Sequence, residues 1–180
     1  MTGLAVDCSV DLRSLLAALA PLFRFPRESY RTSLRETLAA CGHDAAAAAL
    51  RRFAAEIAPL DEGELENVYT ATFDLSPSCS PYLGVHLFGG ETPHRSRLML
   101  GLRLTYGSSE VMRELPDHIA EVLSFATRFE SEEWRELVTY VLVPALRRME
   151  SLLSPTLNPF RHLVAAASAL STAAAEGGPS

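Results

Sequence analysis

The sequence predicts an all-α protein, a single-domain bundle of about seven to nine helices. Apolar residues recur at spacings of three and four along almost the whole chain, which is the pattern of amphipathic helices. Runs of alternating β-branched residues and Asn-Gly or Asp-Gly hairpin signals are missing. The length of 180 residues, with 48% hydrophobic and 21% charged residues, suits one domain with its own core.

Four amphipathic segments precede residue 74, and their apolar stripes predict four helices. Pro26 separates the first two segments, and Gly42 ends the second. Asp44 is predicted to cap the third segment, and Asp61 with Glu64 fits a capping box at the start of the fourth. The stripes consist of Leu12, Leu15, Leu16 and Leu19; Tyr30, Leu34 and Leu38; Leu50, Phe53 and Ile57; and Leu65, Val68 and Phe73.

Two further amphipathic segments dominate the last third of the chain. Ser131 is predicted to cap the first of them, and Pro144 is predicted to kink it. The second is predicted to begin near Pro159 and to end at about Leu170. Because residues 172–180 are small and polar, we predict a helical domain over residues 1–171 and a flexible tail over residues 172–180.

The passage between these halves is irregular, and its loops are predicted at residues 76–81, 88–93 and 107–116. Loops are where functional residues concentrate. Residues 114–118, ELPDH, allow two interpretations. They can form an ordinary helix start with His118 exposed in the first turn. Alternatively, Glu114, Asp117 and His118 project into a groove, where the carboxylates pair with arginines of a bound peptide.

Composition excludes several classes of function. The net charge of −6 argues against nucleic-acid binding, which needs concentrated positive charge. The chain has no lysine, so it has no phosphate-binding loop of the Gly-Lys-Ser/Thr type. No apolar run approaches a membrane span of about 20 residues, and the N-terminal residues do not resemble a secretory signal. We therefore expect a cytoplasmic protein.

Catalytic motifs are scarce. Cys8, Cys41 and Cys79 lie far apart, which indicates reduced structural thiols, although Cys79 could be a reactive loop thiol. A second alternative is a metal-dependent hydrolase that uses four scattered ligands. These are Asp74, His86, Glu91 and His94, without a metal-binding motif. We predict that the protein is not an enzyme and binds no metal or other cofactor.

Four stretches together resemble one protein family. Residues 69–75, YTATFDL, resemble its Y-x-x-x-F-D/L helix end, and residues 82–91, YLGVHLFGGE, its L-x-x-H-x-x-G-E region. Residues 114–118 match its E-L-P-D-H/Y motif, and residues 22–26, LFRFP, resemble its L-x-x-Y-P turn. In order and spacing these stretches resemble the nitrate reductase delta subunit family and related chaperones of molybdoenzymes.

The resemblance implies a chaperone that binds the N-terminal leader, often a twin-arginine signal, of a molybdopterin oxidoreductase catalytic subunit. It would assist molybdenum cofactor insertion before export or assembly, as a monomer or a domain-swapped dimer. An alternative is a permanent structural subunit of an oxidoreductase complex. On the resemblance and on the chemistry of the loops together, the expected peptide-binding residues are Tyr82, His86, Glu91, Glu114, Leu115, Pro116, Asp117 and His118. Tyr69, Phe73 and Tyr106 are expected in the core.

Overall fold

A computed structural model describes residues 11–74, 77–107 and 110–177. Cys8, Leu75 and Ser76, which the sequence analysis named, lie outside these ranges, as do residues 108–109 and 178–180. The predicted all-α class is confirmed, since the described residues form helices and no strand. The helices are α1 Leu12–Leu19, α2 Tyr30–Ala40, α3 Asp44–Ile57, α4 Glu62–Phe73, α5 Leu83–Phe88, α6 Pro93–Tyr106, α7 Ile119–Ser124, α8 Ser131–Leu137, α9 Val143–Leu153 and α10 Phe160–Glu176.

A π-helical turn, Val138–Leu142, joins α8 to α9 without a loop. Counted as one continuous helix, they bring the number in the described part of the chain to nine. Pro144 lies just after this turn and has no N–H to donate to the carbonyl of Tyr140, which lies within it. The irregularity predicted at Pro144 therefore takes the form of a π-helical turn, one of the known causes of helix distortion.

Helix ends agree with the sequence at some positions and correct it at others. The capping box of Asp61 and Glu64 is confirmed. The predicted cap at Asp44 is wrong, because His43 has the extended backbone and its Nδ1 accepts from the N–H of Ala46. The predicted cap at Ser131 is also wrong, because the helical hydrogen bonding already begins at the carbonyl of Glu130.

The C-terminal helix is longer than predicted. It continues through the alanines after Thr172 to Glu176, instead of ending near Leu170. Alanine is the strongest helix former, so the small residues extend the helix and do not begin a tail at residue 172.

The core lies around α10, which packs against α3, α9 and α1. Aromatic rings connect these helices to α4: the ring centroid of Phe160 lies 5.3 Å from that of Phe53 and 5.1 Å from that of Phe73. A short 3₁₀ helix, Ala20–Phe23, follows α1 and packs on α7. None of the helices in the described ranges is long and apolar enough to span a membrane.

Candidate functional site

Backbone hydrogen bonds hold two of the predicted motifs together. The N–H of Leu83 donates to the carbonyl of Asp117 at 2.8 Å, and the N–H of Ile119 donates to the carbonyl of Pro81 at 2.9 Å. Tyr82 and His118 thereby form an isolated antiparallel bridge. The start of α5 and the start of α7 are therefore one structural unit, although they are far apart in sequence.

A buried ion pair lies behind this unit. Arg95 of α6 donates from Nε to Oδ2 of Asp117 at 2.7 Å and from a terminal nitrogen to Oδ1 at 3.2 Å. Asp117 is fully buried, and hydrogen bonding to it raises the pKa of Arg95. The expectation that the Asp117 carboxylate pairs with an arginine of a bound peptide is wrong for this structure, because Arg95 occupies both oxygens.

Gly84 allows this close packing. A Cβ atom on Gly84 would lie 2.6 Å from Oδ2 of Asp117 and 2.8 Å from Cγ of Arg95. Both distances are far below van der Waals contact. The absence of a side chain at residue 84 therefore lets α5 approach the ion pair.

Tyr82 connects the ion pair to the exposed part of the site. Its hydroxyl donates to Oε2 of Glu114 at 3.1 Å, and the Arg95 guanidinium lies 5.5 Å from its ring centroid. Burial, and secondarily the Glu114 carboxylate, raises the pKa of Tyr82 to about 12. Tyr82 is therefore a neutral donor that orients Glu114.

His118 is a helix cap. Its Nδ1 accepts from the N–H of Ala120 at 3.1 Å, and only 3% of the residue is exposed. Residues 114–118 therefore do lead into a helix, but His118 is its N-cap, precedes the first turn and is not exposed. Burial, and then the nearby Arg24 charge, lowers the pKa of His118 to about 4, so the imidazole is neutral near pH 7.

The other predicted site residues lie at different depths. His86 is buried, its Nε2 lies 2.7 Å from the carbonyl oxygen of Ser80, and burial lowers its pKa. Pro116 accepts from the Tyr106 hydroxyl through its carbonyl at 2.9 Å. Leu115 and Glu91 are exposed. Among the eight predicted residues, the structure brings Tyr82, Glu114, Asp117 and His118 into direct contact with one another or with Arg95.

A surface groove opens beside Glu114 and His118. It consists of two cavities of about 400 and 600 Å³ that adjoin at Phe25, and we call it the Phe25 groove. The first cavity is lined by Pro21, Arg24, Phe25, Arg27, Ser29, Tyr30, Ser33, Tyr69, Arg113, Glu114 and His118. The second is lined by Phe25, Pro26, Arg27, Glu28, Ser29, Tyr30, Arg31, Glu62, Leu65 and Glu66.

Sequence reasoning recognised the turn that forms one wall of this groove but did not assign Phe25 to the site. Phe25 is 39% exposed, and its ring meets that of Tyr69 edge-on at 5.6 Å. The Tyr69 hydroxyl donates to the carbonyl of Phe23 at 3.1 Å, which anchors the turn to α4. The signal was present, because residues 22–26 carried part of the family resemblance.

Charges of both signs line the Phe25 groove. Arg24 forms an ion pair with Glu121 of α7 at 2.9 Å. Burial raises the pKa of Tyr69, and the charge of Glu114, which lines the same cavity, raises it further. Glu28, Glu62 and Glu66 border the larger cavity. The groove thus combines apolar residues with four arginines and four glutamates.

Two alternatives from the sequence, a reactive Cys79 thiol and a metal-dependent hydrolase, have little support in the geometry of the described residues. Cys79 is fully buried, and burial raises the pKa of its thiol to about 12, which suppresses the nucleophilic thiolate. No group of three or more potential ligands that could hold a metal ion occurs within the described ranges. His86 is bonded to a backbone carbonyl, while the ring of His94 lies 5.9 Å from that of Phe88.

Comparison with known proteins identifies one family. The family model described as nitrate reductase delta subunit matches residues 37–166. No curated protein matches the sequence. The matched region includes Tyr69, the α5–α6 passage and residues 114–118, whereas the turn with Phe25 precedes it.

Proposed function

The chain belongs to the nitrate reductase delta subunit family, whose members are maturation chaperones of molybdoenzymes, and on this basis we propose that it binds the N-terminal leader of a molybdopterin oxidoreductase catalytic subunit. The leader, a twin-arginine signal or a related sequence, would occupy the Phe25 groove. Binding would hold the client in the cytoplasm during molybdenum cofactor insertion, before export or assembly. The chaperone would act by binding alone, without catalysis.

The observation that carries this proposal is the convergence of distant motifs on one groove. The turn with Phe25, the helix α4 with Tyr69, and the loop with Glu114 are far apart in sequence, yet all line the same cavity. Hydrogen bonds hold two of the walls: a buried one from Tyr69 holds the turn, and an exposed one from Tyr82 orients Glu114. Prearranged walls reduce the entropy that a binding site loses when it takes up a flexible peptide.

The chemistry of the Phe25 groove suits a leader peptide. Such a leader has a basic end followed by an apolar stretch. The apolar stretch would lie on the exposed Phe25, while the basic end would face Glu62, Glu66 or Glu114. Arginine–carboxylate contacts are strong and directional, and complementary charge also selects partners and accelerates their encounter.

Calorimetric titration with leader peptides of candidate molybdoenzymes tests this proposal. Wild-type protein should bind one leader saturably. Phe25→Ala should weaken binding by at least about fivefold, since truncation of an anchor residue at the centre of an interface typically costs more than about 1 kcal/mol. Glu114→Gln keeps an acceptor for Tyr82 while removing the charge, and it should weaken binding of the twin-arginine peptide more than that of a twin-lysine peptide.

The control for charge is Glu132→Gln, an exposed carboxylate in the first turn of α8 and outside the Phe25 groove. This variant should bind like wild type. Substitution of Asp117 is a poor test, because removing one member of a buried pair destabilises the whole fold. Folded protein that binds no leader peptide would contradict the proposal, and stable co-purification with a mature oxidoreductase would then favour the permanent-subunit alternative.

A further inference from the structure

Helix α6 carries apolar side chains on its outer surface. Among its residues only Arg95, Leu102 and Tyr106 are buried. Leu100 is 62% exposed and Leu104 is 73% exposed. A helix of a protein surface normally turns such residues toward the core. The outer side of α6 is therefore an apolar surface without a cover in the single chain.

This surface continues into a second groove, between α6 and the start of the α8–α9 helix. The cavity has a volume of about 490 Å³, and we call it the α6–α8 groove. Leu98 and Gly101 form its wall on α6, while Leu137 and the exposed Tyr140 form the opposite wall. It shares no lining residue with the Phe25 groove.

The two walls of the α6–α8 groove carry opposite charges. Arg97 lies on the α6 wall, and Glu133 and Glu136 lie on the α8 wall. All three side chains are exposed. No ion pair between described residues involves them. One copy of the chain therefore offers both a basic and an acidic partner surface.

The helices that form the α6–α8 groove run in opposite directions. Tyr106, at the end of α6, meets Phe129, just before α8, with ring centroids 6.1 Å apart. At the other end, α5 precedes the start of α6 along the chain and packs against both α6 and the π-helical turn that follows α8. Glu133 therefore lies near the end of α6, whereas Arg97 lies roughly 12 Å away along that helix, at about 1.5 Å per residue.

We propose that the surface around the α6–α8 groove is the interface of a two-fold homodimer, in which α6 of one copy packs antiparallel against α6 of the other. The two-fold axis lies in the interface and crosses α6 at about a right angle, so it reverses the direction of α6 in the second copy. Arg97 of the second copy then reaches the end of the groove where Glu133 lies, and the symmetric contact forms at the same time. Leu100 and Leu104 become covered by apolar residues of the facing copy.

Charge exchange on the full chain tests the dimer. Sedimentation equilibrium over a wide range of protein concentration should show a monomer–dimer equilibrium for wild type. Arg97→Glu and Glu133→Arg should each weaken dimerisation by about tenfold or more, because every contact is made twice and each reversal replaces an attraction by a repulsion. The combined variant R97E/E133R should recover most of the wild-type affinity. Arg51→Glu, an exposed position on α3, is the matched control and should leave dimerisation unchanged.

Replacing an exposed leucine of α6 by serine is a second test of the dimer, and three outcomes would contradict the proposal. Leu104→Ser, at an exposed position that leaves the monomer core intact, should also dissociate the dimer. A wild-type chain that stays monomeric at all concentrations overturns the proposal. So does a dimer whose affinity does not change in R97E, or one that R97E/E133R fails to restore, because its interface then lies elsewhere. If the α6–α8 groove binds the client instead of a second copy, the wild-type chain will stay monomeric at all concentrations.

Discussion

Replacing Gly84 by alanine tests the packing of the buried ion pair. The new methyl group would lie 2.6 Å from Oδ2 of Asp117 and 2.8 Å from Cγ of Arg95. To reach an ordinary contact of about 3.4 Å or more, the carboxylate must move by most of an ångström, which is enough to break the hydrogen bond from Arg95. Neither group has room to withdraw, since Asp117 is 0% and Arg95 9% exposed.

The size of the effect follows from two opposing contributions. Overpacking in a filled interior costs about 1–3 kcal/mol, and full separation of a buried pair costs about 3–5 kcal/mol. Alanine in place of glycine in a helix returns about 1 kcal/mol. Overpacking and partial loss of the ion pair both lower the free energy of unfolding, and the gain in helix propensity offsets part of that loss. We therefore expect the free energy of unfolding to fall by about 1–3 kcal/mol.

Urea denaturation followed by circular dichroism measures this change. The control is Gly63→Ala in α4, where the new Cβ meets only Oδ1 of Asp61 at an ordinary 3.5 Å. Gly63→Ala should leave the free energy of unfolding unchanged or raise it by up to about 1 kcal/mol. If Gly84→Ala is as stable as Gly63→Ala, the close approach does not constrain residue 84, and our reasoning about the ion pair is wrong.

Three further perturbations have expected outcomes. The pKa of His118 is about 4 in the fold against an ordinary 6.5, so the unfolded chain binds more protons. The stability that neutral His118 contributes is complete above pH 6.5. As the pH falls toward 4, the free energy of unfolding should decrease by up to about 1.4 kcal/mol per pH unit. His118→Asn keeps a cap acceptor and should flatten this slope in denaturation measured at several pH values. Cys79 should react with a thiol reagent only on unfolding, whereas the half-buried Cys41 should react in the native protein; rapid native labelling of Cys79 in a variant lacking the other cysteines would contradict its burial. Asp61→Ala should lower the free energy of unfolding by about 1 kcal/mol, because it removes one half of the capping box; an unchanged urea midpoint would show that this cap contributes nothing.

The sequence was sufficient for the helices that carry a clear apolar stripe, because such stripes are local patterns; α5 and α6 lie in the passage described as irregular. The capping box at Asp61 depends on residues three apart, and both are visible in the sequence. The cap of α3 was harder to predict from the sequence, since aspartate is a more common N-cap than histidine. The extended backbone of His43 identifies it as the N-cap. Local propensity therefore predicted the presence of helices more reliably than their first residues.

The candidate site was only partly predictable, because its interactions are long-range. Glu114 lines the Phe25 groove, and its role in peptide binding is still a prediction. The partner of Asp117 could not be identified, since Arg95 lies 22 positions away and on a helix of its own. No periodicity or spacing links such residues; only the packing of α5 against α6 brings them together.

The packing of α10 also determines when one contact at the Phe25 groove can form. Glu56 of α3 bonds to Arg161 of α10 across 105 positions of sequence, and Phe160 contacts Tyr69, which lines the groove. At a synthesis rate of about 5–20 residues per second, α10 is made about 5–20 s after α3. The apolar side of α3 therefore has no packing partner from α10 during that time. The contact between Phe160 and Tyr69 can therefore form only after α10 has left the ribosome.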